Sequence, residues 1–260
     1  MRLTWIDLNS WIFQLAGQTI LVDPWLVDPM VFYGQPWLYM AYHNTPLTVT
    51  PETLPPVDLI LLSQGLDDHC HKPTLEKLSR AIPVVASPTA AKMVRTLGFQ
   101  HVTTLSAWQE QVISDRLRIT AIPGAEIQPG QVENGYRLTD QQTGETLYYE
   151  PHVFPVKEAE RIGRVDVAIA PVIGQIFLLL GQVIMGPEQA INLIQALQPQ
   201  VFLPTTRGDL QMSGILPKLI KSVGSVEEVR DRLTRSKILT KLLVPNPGEA
   251  VEVVVGSDVR

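Results

Sequence analysis

Residues 57–78 read VDLILLSQGLDDHCHKPTLEKL, and the polar turn in the middle of this run is the part of the chain best equipped for chemistry. Gln64, Asp67, Asp68, His69, Cys70 and His71 crowd one short loop. Carboxylates and imidazoles at this density suit a divalent metal or an acid–base pair. Asp68 and His69 admit two readings: a residual single-metal site, or an aspartate that caps the following turn and accepts a hydrogen bond from its neighbour. His71 is expected to face solvent at the start of the next helix. Cys70 is expected to be a small buried packing residue and not a nucleophile.

The flanking pattern says how such a loop is held. An apolar strand (Val57, Leu59–Leu62) precedes it, and an amphipathic helix from about Pro73 to Leu78 follows. Upstream, Leu3–Ile6, Trp11–Leu15 and Ile20–Val22 alternate as a β-meander that ends at Asp23-Pro24. Asp28 to Pro56 has no clear period and carries Met30, Phe32, Tyr33, Trp37, Tyr39 and Tyr42. Long irregular segments of this kind serve as lids or interfaces. Downstream, helices near Thr89–Leu97, Pro187–Leu197 and Val226–Leu233 alternate with strands at Pro83–Ala86, His101–Leu105, Val165–Ala170 and Val201–Pro204. Further strands are expected at Gln111–Ile113, Arg116–Ile122, Gly135–Thr139, Thr146–Glu150 and Val251–Val255. Strands then α/β, twice over, suggests one domain of two similar halves, roughly 1–125 and 126–260.

Composition narrows the class. Of 260 residues, 45% are hydrophobic and 18% charged, so the chain packs a core. A formal net charge of −5 without a basic run argues against nucleic acid as a partner. The single cysteine rules out an internal disulfide and fits a reducing, cytoplasmic setting. Val167 to Pro187 is uncharged and about as long as a membrane span. Pro171, Gly174, Gln175, Gly181 and Gln182 interrupt it, so a buried strand followed by an apolar loop is the expected form.

Several pieces stand in a fixed order: DP after the third strand, LPPVDLILLS before the loop, AIPG at Ala121–Gly124, LYYE at Leu147–Glu150, DVAIAPV at Asp166–Val172, GPEQA at Gly186–Ala190, VFLP at Val201–Pro204 and NPGEAVEV at Asn246–Val253. In that order they resemble the metallo-β-lactamase superfamily, in its L-ascorbate-6-phosphate-lactonase-like branch of metal-dependent hydrolases. The resemblance implies an α/β (α+β) fold, the αββα sandwich, with two mixed sheets flanked by helices and a site on the edge between the halves. It also implies a pair of zinc or manganese ions that make hydroxide from water.

Laid on that pattern, the ligand set is depleted. Gln64 and Leu66 stand where the loop's first two histidines belong, Ala125 and Thr206 replace two later ones, and Leu8 replaces the histidine of an early turn. Asp68 and His69 match, and His152 takes the place of the bridging aspartate. The metal candidates are therefore Asp68, His69 and His152, for at most one zinc or manganese ion or none. His152 could instead be a cation that replaces the metal's charge beside Asp68. Candidate acid–base groups are Asp67, Asp68 and Glu150. Candidate ligand contacts are Asp23 near the cleft floor, Gln64, and Arg207, whose alternative is a surface salt bridge. Glu126 and Asp209 adjoin the cleft.

The function expected from this set is a degenerate member that binds a small molecule or partner through the inter-sheet cleft. The rivals are a single-metal hydrolase of a lactone or phosphoester, using Asp68, His69 and His152, and an interaction protein. In the last case the apolar segments 30–42 and 174–185 would form a homo-oligomer interface or a peripheral membrane contact.

Overall fold

A computed structural model describes residues 1–128, 131–178 and 181–256, with the side chains of residues 125–128 and 131 outside the described set. In chain order the strands and helices are β1 (Arg2–Asp7), β2 (Ser10–Leu15), β3 (Gln18–Val22), β4 (Met30–Val31), β5 (Tyr39–His43), β6 (Leu59–Leu62), α1 (Lys72–Lys77), β7 (Val84–Ala86), α2 (Pro88–Thr96) and β8 (Val102–Thr104). They continue as β9 (Glu110–Ile113), β10 (Leu117–Gln128), β11 (Gln131–Asp140), β12 (Thr146–Tyr149), α3 (Ala159–Ile162), β13 (Val167–Pro171), β14 (Gly174–Phe177), β15 (Gly181–Ile184) and α4 (Pro187–Leu197). The last third holds β16 (Val201–Thr205), β17 (Leu210–Gly214), α5 (Leu216–Leu219), β18 (Ile220–Val223), α6 (Val226–Arg235), β19 (Lys241–Leu242) and β20 (Ala250–Glu252).

Among the described residues two 7-stranded sheets face each other, in the orders β20-β1-β2-β3-β6-β7-β8 and β19-β16-β13-β12-β11-β10-β9. Each begins as an antiparallel meander and turns parallel where helices enter: β3 pairs with β6, and β12 with β13, in parallel. The chain passes from one sheet to the other between β8 and β9. The division near residue 125 therefore falls inside β10, and β20 returns to the first sheet.

The alternation along β1, β2, β11 and β12 is what builds the central layer. Trp5, Trp11, Phe13, Tyr136, Tyr149 and Leu203 meet between the sheets, with the rings of Phe13 and Tyr149 edge-on at 6.1 Å. The outer faces are covered separately. α1 and α2 bury Leu75, Ala90 and Val94 on the first sheet, and α3, α4 and α6 bury Ile162, Leu193 and Val229 on the second. Helix–sheet–sheet–helix layering is the αββα sandwich. The helices start where the sequence supplies caps. The Ser225 hydroxyl accepts from the Glu228 amide at 3.1 Å, and Pro187 occupies the first turn of α4.

Two stretches differ from the sequence reading. The segment Asp28–Pro56 is not wholly irregular, because β4 and β5 join β17 in a 3-stranded sheet. The stretch expected to be an apolar loop, 174–185, is instead the hairpin β14–β15, paired with β18; residues 179 and 180 lie outside the described set. In both cases the partner strand lies far away in sequence, so no local period announces the pairing. Among the described residues no helix is long and apolar enough to cross a membrane.

The turn after β11 carries a titration signature. Asp140 is buried and accepts from Arg116 Nε at 2.9 Å and Nη2 at 2.6 Å, and from the Gln142 amide at 2.9 Å. Arg116 above all, opposed by burial and helped by the turn amides, holds this carboxyl down at about 2. A carboxyl depressed in the folded state stabilises at pH above its unfolded value and loses that contribution as pH falls through its folded value. Asp140→Asn is expected to melt below the parent protein at pH 7, with the gap closing between about pH 4 and pH 2. Melting curves across that range check this.

Candidate functional site

The cleft floor is built from strand ends. Asp23, just past β3, is tied to β6 by its amide, which donates to the Leu61 carbonyl at 3.1 Å. Its backbone is left-handed at φ 40 and its side chain is fully buried. Oδ1 accepts from the Ser63 amide at 2.8 Å. Oδ2 accepts from Ser63 Oγ at 2.6 Å, Tyr149 Oη at 2.7 Å and His69 Nδ1 at 2.8 Å. Asp23 is fully buried and its Oδ2 is fixed on His69, so it orients that ring, where the sequence reading gave it a ligand contact.

His69 lies wholly buried, with Asp23 on one ring nitrogen and Asp68 Oδ2 at 3.3 Å from the other. Burial alone would push the imidazole down. The charges of Asp68 and Asp23 and their hydrogen bonds outweigh it and raise His69 to about 10. Asp68 shows the reverse balance. Burial pushes it up, but the His69 charge and hydrogen bond prevail and hold it below the usual carboxylate range. Asp68 is 23% exposed, yet its Oδ1 is buried and unpartnered.

His152 follows β12 and brings its ring within 4.7 Å of His69, centroid to centroid. Burial first, then the His69 charge, push it down to about 3, so it is neutral. Of the two rings, His69 acts on Asp68 the more strongly. His152 Nε2 sits 2.7 Å from Gln64 Nε2, with the amide assigned so that its N–H donates to the ring. Gln64 is completely buried, and its Oε1 has no partner.

Glu150 lies behind His152. Its carboxylate accepts from the His152 amide at 3.0 Å and from Tyr148 Oη at 2.9 Å. It fits because residue 135 is glycine: a Cβ there would lie 2.9 Å from Glu150 Oε2. Burial raises Glu150 to about 7 despite those bonds. Asp67 stands at the outer edge, where it accepts from the Tyr33 amide at 2.8 Å and ties the aromatic segment to the loop. Tyr33 and Tyr39 lie close enough to Asp68 for its charge to raise both phenols, after burial as the larger cause.

On the opposite rim, Asn9 Nδ2 is 3.3 Å from His69 Nε2, and Asn9 Oδ1 accepts from Thr206 Oγ1 at 2.7 Å. Thr206 also donates to the Pro151 carbonyl at 3.2 Å. Leu8 makes an isolated bridge to Arg207. The Arg207 guanidinium lies over the Trp5 ring at 3.6 Å and donates to the carbonyls of Pro204 and Pro245. It is neither an anion fork toward the cleft nor a surface salt bridge. Its planar face lies on the indole, and Nε and Nη2 are each on a carbonyl.

The structure thus brings Asp68, His69 and His152 together, with Gln64 and Glu150 against them. Asp23 is moved one layer back and Arg207 away. His71 is buried and not solvent-facing: its ring meets Thr74 Oγ1 at 2.9 Å and the Pro29 carbonyl at 3.3 Å, and burial holds it down to about 4. Cys70 is buried. The side chains of Ala125 and Glu126 lie outside the described residues. Asn9, Ser63 and Tyr149 are site residues that the sequence reading missed, whereas Tyr33 belongs to the aromatic segment it named as a lid or interface. Their types are unremarkable in isolation, and the meander's alternation is the signal that could have pointed Tyr149 inward.

Among the described residues, Asp68, His69 and His152 are grouped so that one ligand atom from each lies within 4.8 Å of the others. This is a partial, three-ligand cluster. The unpartnered Asp68 Oδ1 and the two imidazoles suit one divalent ion such as zinc or manganese, provided His69 gives up its proton. Among the described residues no second group of three such ligands is found.

Comparison with known proteins agrees with this geometry. The family profile of the β-lactamase superfamily domain matches residues 2–206. A metal-dependent hydrolase of Thermodesulfovibrio yellowstonii is 25% identical over 97% of this chain and 92% of its own length. Among solved structures, a possible metal-dependent hydrolase from Veillonella parvula superposes with a TM-score of 0.75 at 16% identity, covering 97% of this chain and 99% of that one. The isothiocyanate hydrolase from Delia radicum gut bacteria gives 0.73 at 19%, covering 98% and 100%. At these identities the structures speak for the fold alone.

Removing one partner of a buried charged network leaves the others uncompensated. Asp23→Ala is expected to destabilise the fold by about 3–5 kcal/mol. Urea denaturation measures this; a loss under 1 kcal/mol would mean that the network does not hold the floor.

Proposed function

The chain belongs to the β-lactamase superfamily, and from that premise we propose that it is a ligand-binding member whose cleft does not run two-metal hydrolysis. The observation that carries this reading is the pairing of His69 with Asp23 and Asp68. Both ring nitrogens of the loop's matching histidine are turned to carboxylates, and the cluster around it offers three ligands among the described residues. The register of the DP, AIPG and LYYE motifs supports placing the chain beside the L-ascorbate-6-phosphate-lactonase-like branch.

The second reading is a single-metal hydrolase using Asp68, His69 and His152. When bound there, a zinc or manganese ion would polarise a carbonyl or phosphoryl oxygen and acidify water. The chain's own groups fit that reading less well. A general base must reach water, but Glu150 is wholly buried with both oxygens engaged, and Asp67 is held by the Tyr33 amide. Protein purified without chelator is expected to carry no more than one zinc or manganese per chain by elemental analysis, to lose it in His152→Ala, and to show no metal-dependent turnover of lactones or phosphoesters. Two ions per chain with turnover would overturn the proposal.

The apolar rim favours self-association. Tyr33 is 63% exposed, Trp37 62% and Leu178 74%. The Ile215 amide donates to the Trp37 carbonyl at 3.1 Å and the Leu178 amide to the Leu219 carbonyl at 3.0 Å, so α5 links the two ends of this strip. Exposed apolar surface of this extent is uncommon on a monomer. We propose that a second copy covers it, with a membrane surface as the rival. Replacing both Trp37 and Leu178 with serine is expected to shift sedimentation from dimer to monomer. Unchanged sedimentation would count against the dimer, and loss of vesicle co-flotation would favour the rival.

A further inference from the structure

β17 is an outer strand of the β17-β5-β4 sheet. An outer strand offers N–H and C=O groups to any strand that comes alongside, so proteins shield such edges with charge, proline, brevity or a covering side chain. The other outer strands among the described residues are shielded in these ways. β20 carries Glu252, β19 Lys241, β9 Glu110 and β18 Lys221, and β4 is 2 residues long. Arg95 Nη2 donates to the Val102 carbonyl of β8 at 3.1 Å, and Gln182 Nε2 to the Ile184 carbonyl of β15 at 3.1 Å. By contrast β17 reads LQMSG, with no charge, no proline and an unbroken register against β5.

The bonding pattern fixes which groups of β17 face outward. The Asn44 amide donates to the Asp209 carbonyl at 2.9 Å, and the Ile215 amide to the Leu38 carbonyl at 3.0 Å. Along an antiparallel ladder every second residue bonds the neighbouring strand. Gln211 and Ser213, opposite Tyr42 and Met40, are therefore the residues that bond β5. Leu210, Met212 and Gly214 turn their N–H and C=O to the open side. That array is symmetric about Met212, which is 52% exposed.

Such an array is its own complement under a two-fold rotation: Met212 meets Met212, and Leu210 meets Gly214. The charges at its ends match as well. Exposed Asp209 precedes the strand, and α5 beyond it carries exposed Lys218, so antiparallel pairing sets the acidic end of one strand beside the basic end of the other. A groove of about 490 Å³, lined by Trp37, Met212, Ile215 and Pro217 among others, joins this edge to the exposed strip of Trp37 and Leu178.

Resting on the self-association reading above, we propose that two copies join edge to edge, β17 against β17, in antiparallel register centred on Met212. The two 3-stranded sheets become one continuous sheet across a two-fold axis. Pairing uses up the open edge of both copies, so association stops at the dimer. The outer strand left at each end of the joined sheet is the short β4.

Disulfide trapping and sedimentation of the full chain test this. In the proposed register the two copies of residue 212 face each other with Cα atoms about 5.5 Å apart, inside the span of about 4.4–6.8 Å that a disulfide bridges. The two copies of residue 211 lie on the diagonal, about 7–8 Å apart. The native Cys70 is buried and does not compete. Met212→Cys is expected to oxidise to a covalent dimer about tenfold faster than Gln211→Cys. Met212→Lys, which sets like charges on the axis at an exposed position, is expected to weaken the dimer about tenfold with unchanged circular dichroism. Equal trapping at 211 and 212, or a dimer as tight in Met212→Lys as in the parent, would overturn edge pairing and leave self-association standing. A parent chain that sediments as a monomer at every concentration would sink self-association, and edge pairing with it.

Discussion

A buried histidine ring held between two carboxylates is the interaction on which the rest of this structure depends. An isolated charge at this depth would be very costly, and His69 is tolerable only because Asp23 and Asp68 face its two nitrogens. Asp23 is fixed in turn by Ser63 from the first sheet and by the Tyr149 hydroxyl from the second. The floor of the cleft and the junction between the sheets are therefore one hydrogen-bonded unit. Disturbing either disturbs both.

This arrangement explains how a fold built around metal ions can stand without a full set of ligands. Histidine nitrogens, carboxylate oxygens and strand ends converge on one place, and something must neutralise them. Here the ring of His69 is turned to Asp23 and Asp68, and side-chain amides meet the rest: Gln64 lies against His152 at 2.7 Å, and Asn9 lies against His69 at 3.3 Å with its carbonyl oxygen accepting from Thr206. Glutamine and threonine at positions 64 and 206 are working parts of a different network.

Much of the fold was legible in the sequence, and the reason is local. The meander strands alternate, the parallel strands are short apolar runs between helices, and Pro187, Ser225 and Gly98 mark helix ends. The convergence of Asp68, His69 and His152 was also legible, because motif order fixed which strand ends would meet. Other features were not. The partners of β5 and β14 lie in the last quarter of the chain, and no periodicity encodes a pairing over that separation. The raising of His69, the lowering of His152 and the retreat of Arg207 onto Trp5 depend on burial and on neighbours from remote segments. Residue type alone could not rank the two histidines, and of the two roles open to His152 the grouping with Asp68 and His69 keeps that of a metal ligand.

Thr206 carries one more implication. Its hydroxyl ties Asn9 to the Pro151 carbonyl, so three separate chain segments share that one small side chain. Thr205 Oγ1 lies 3.3 Å from the same Asn9 oxygen, so two neighbouring threonines hold the rim from which Asn9 faces His69. A larger ring at 206 would disturb Asn9 before it reached the cleft.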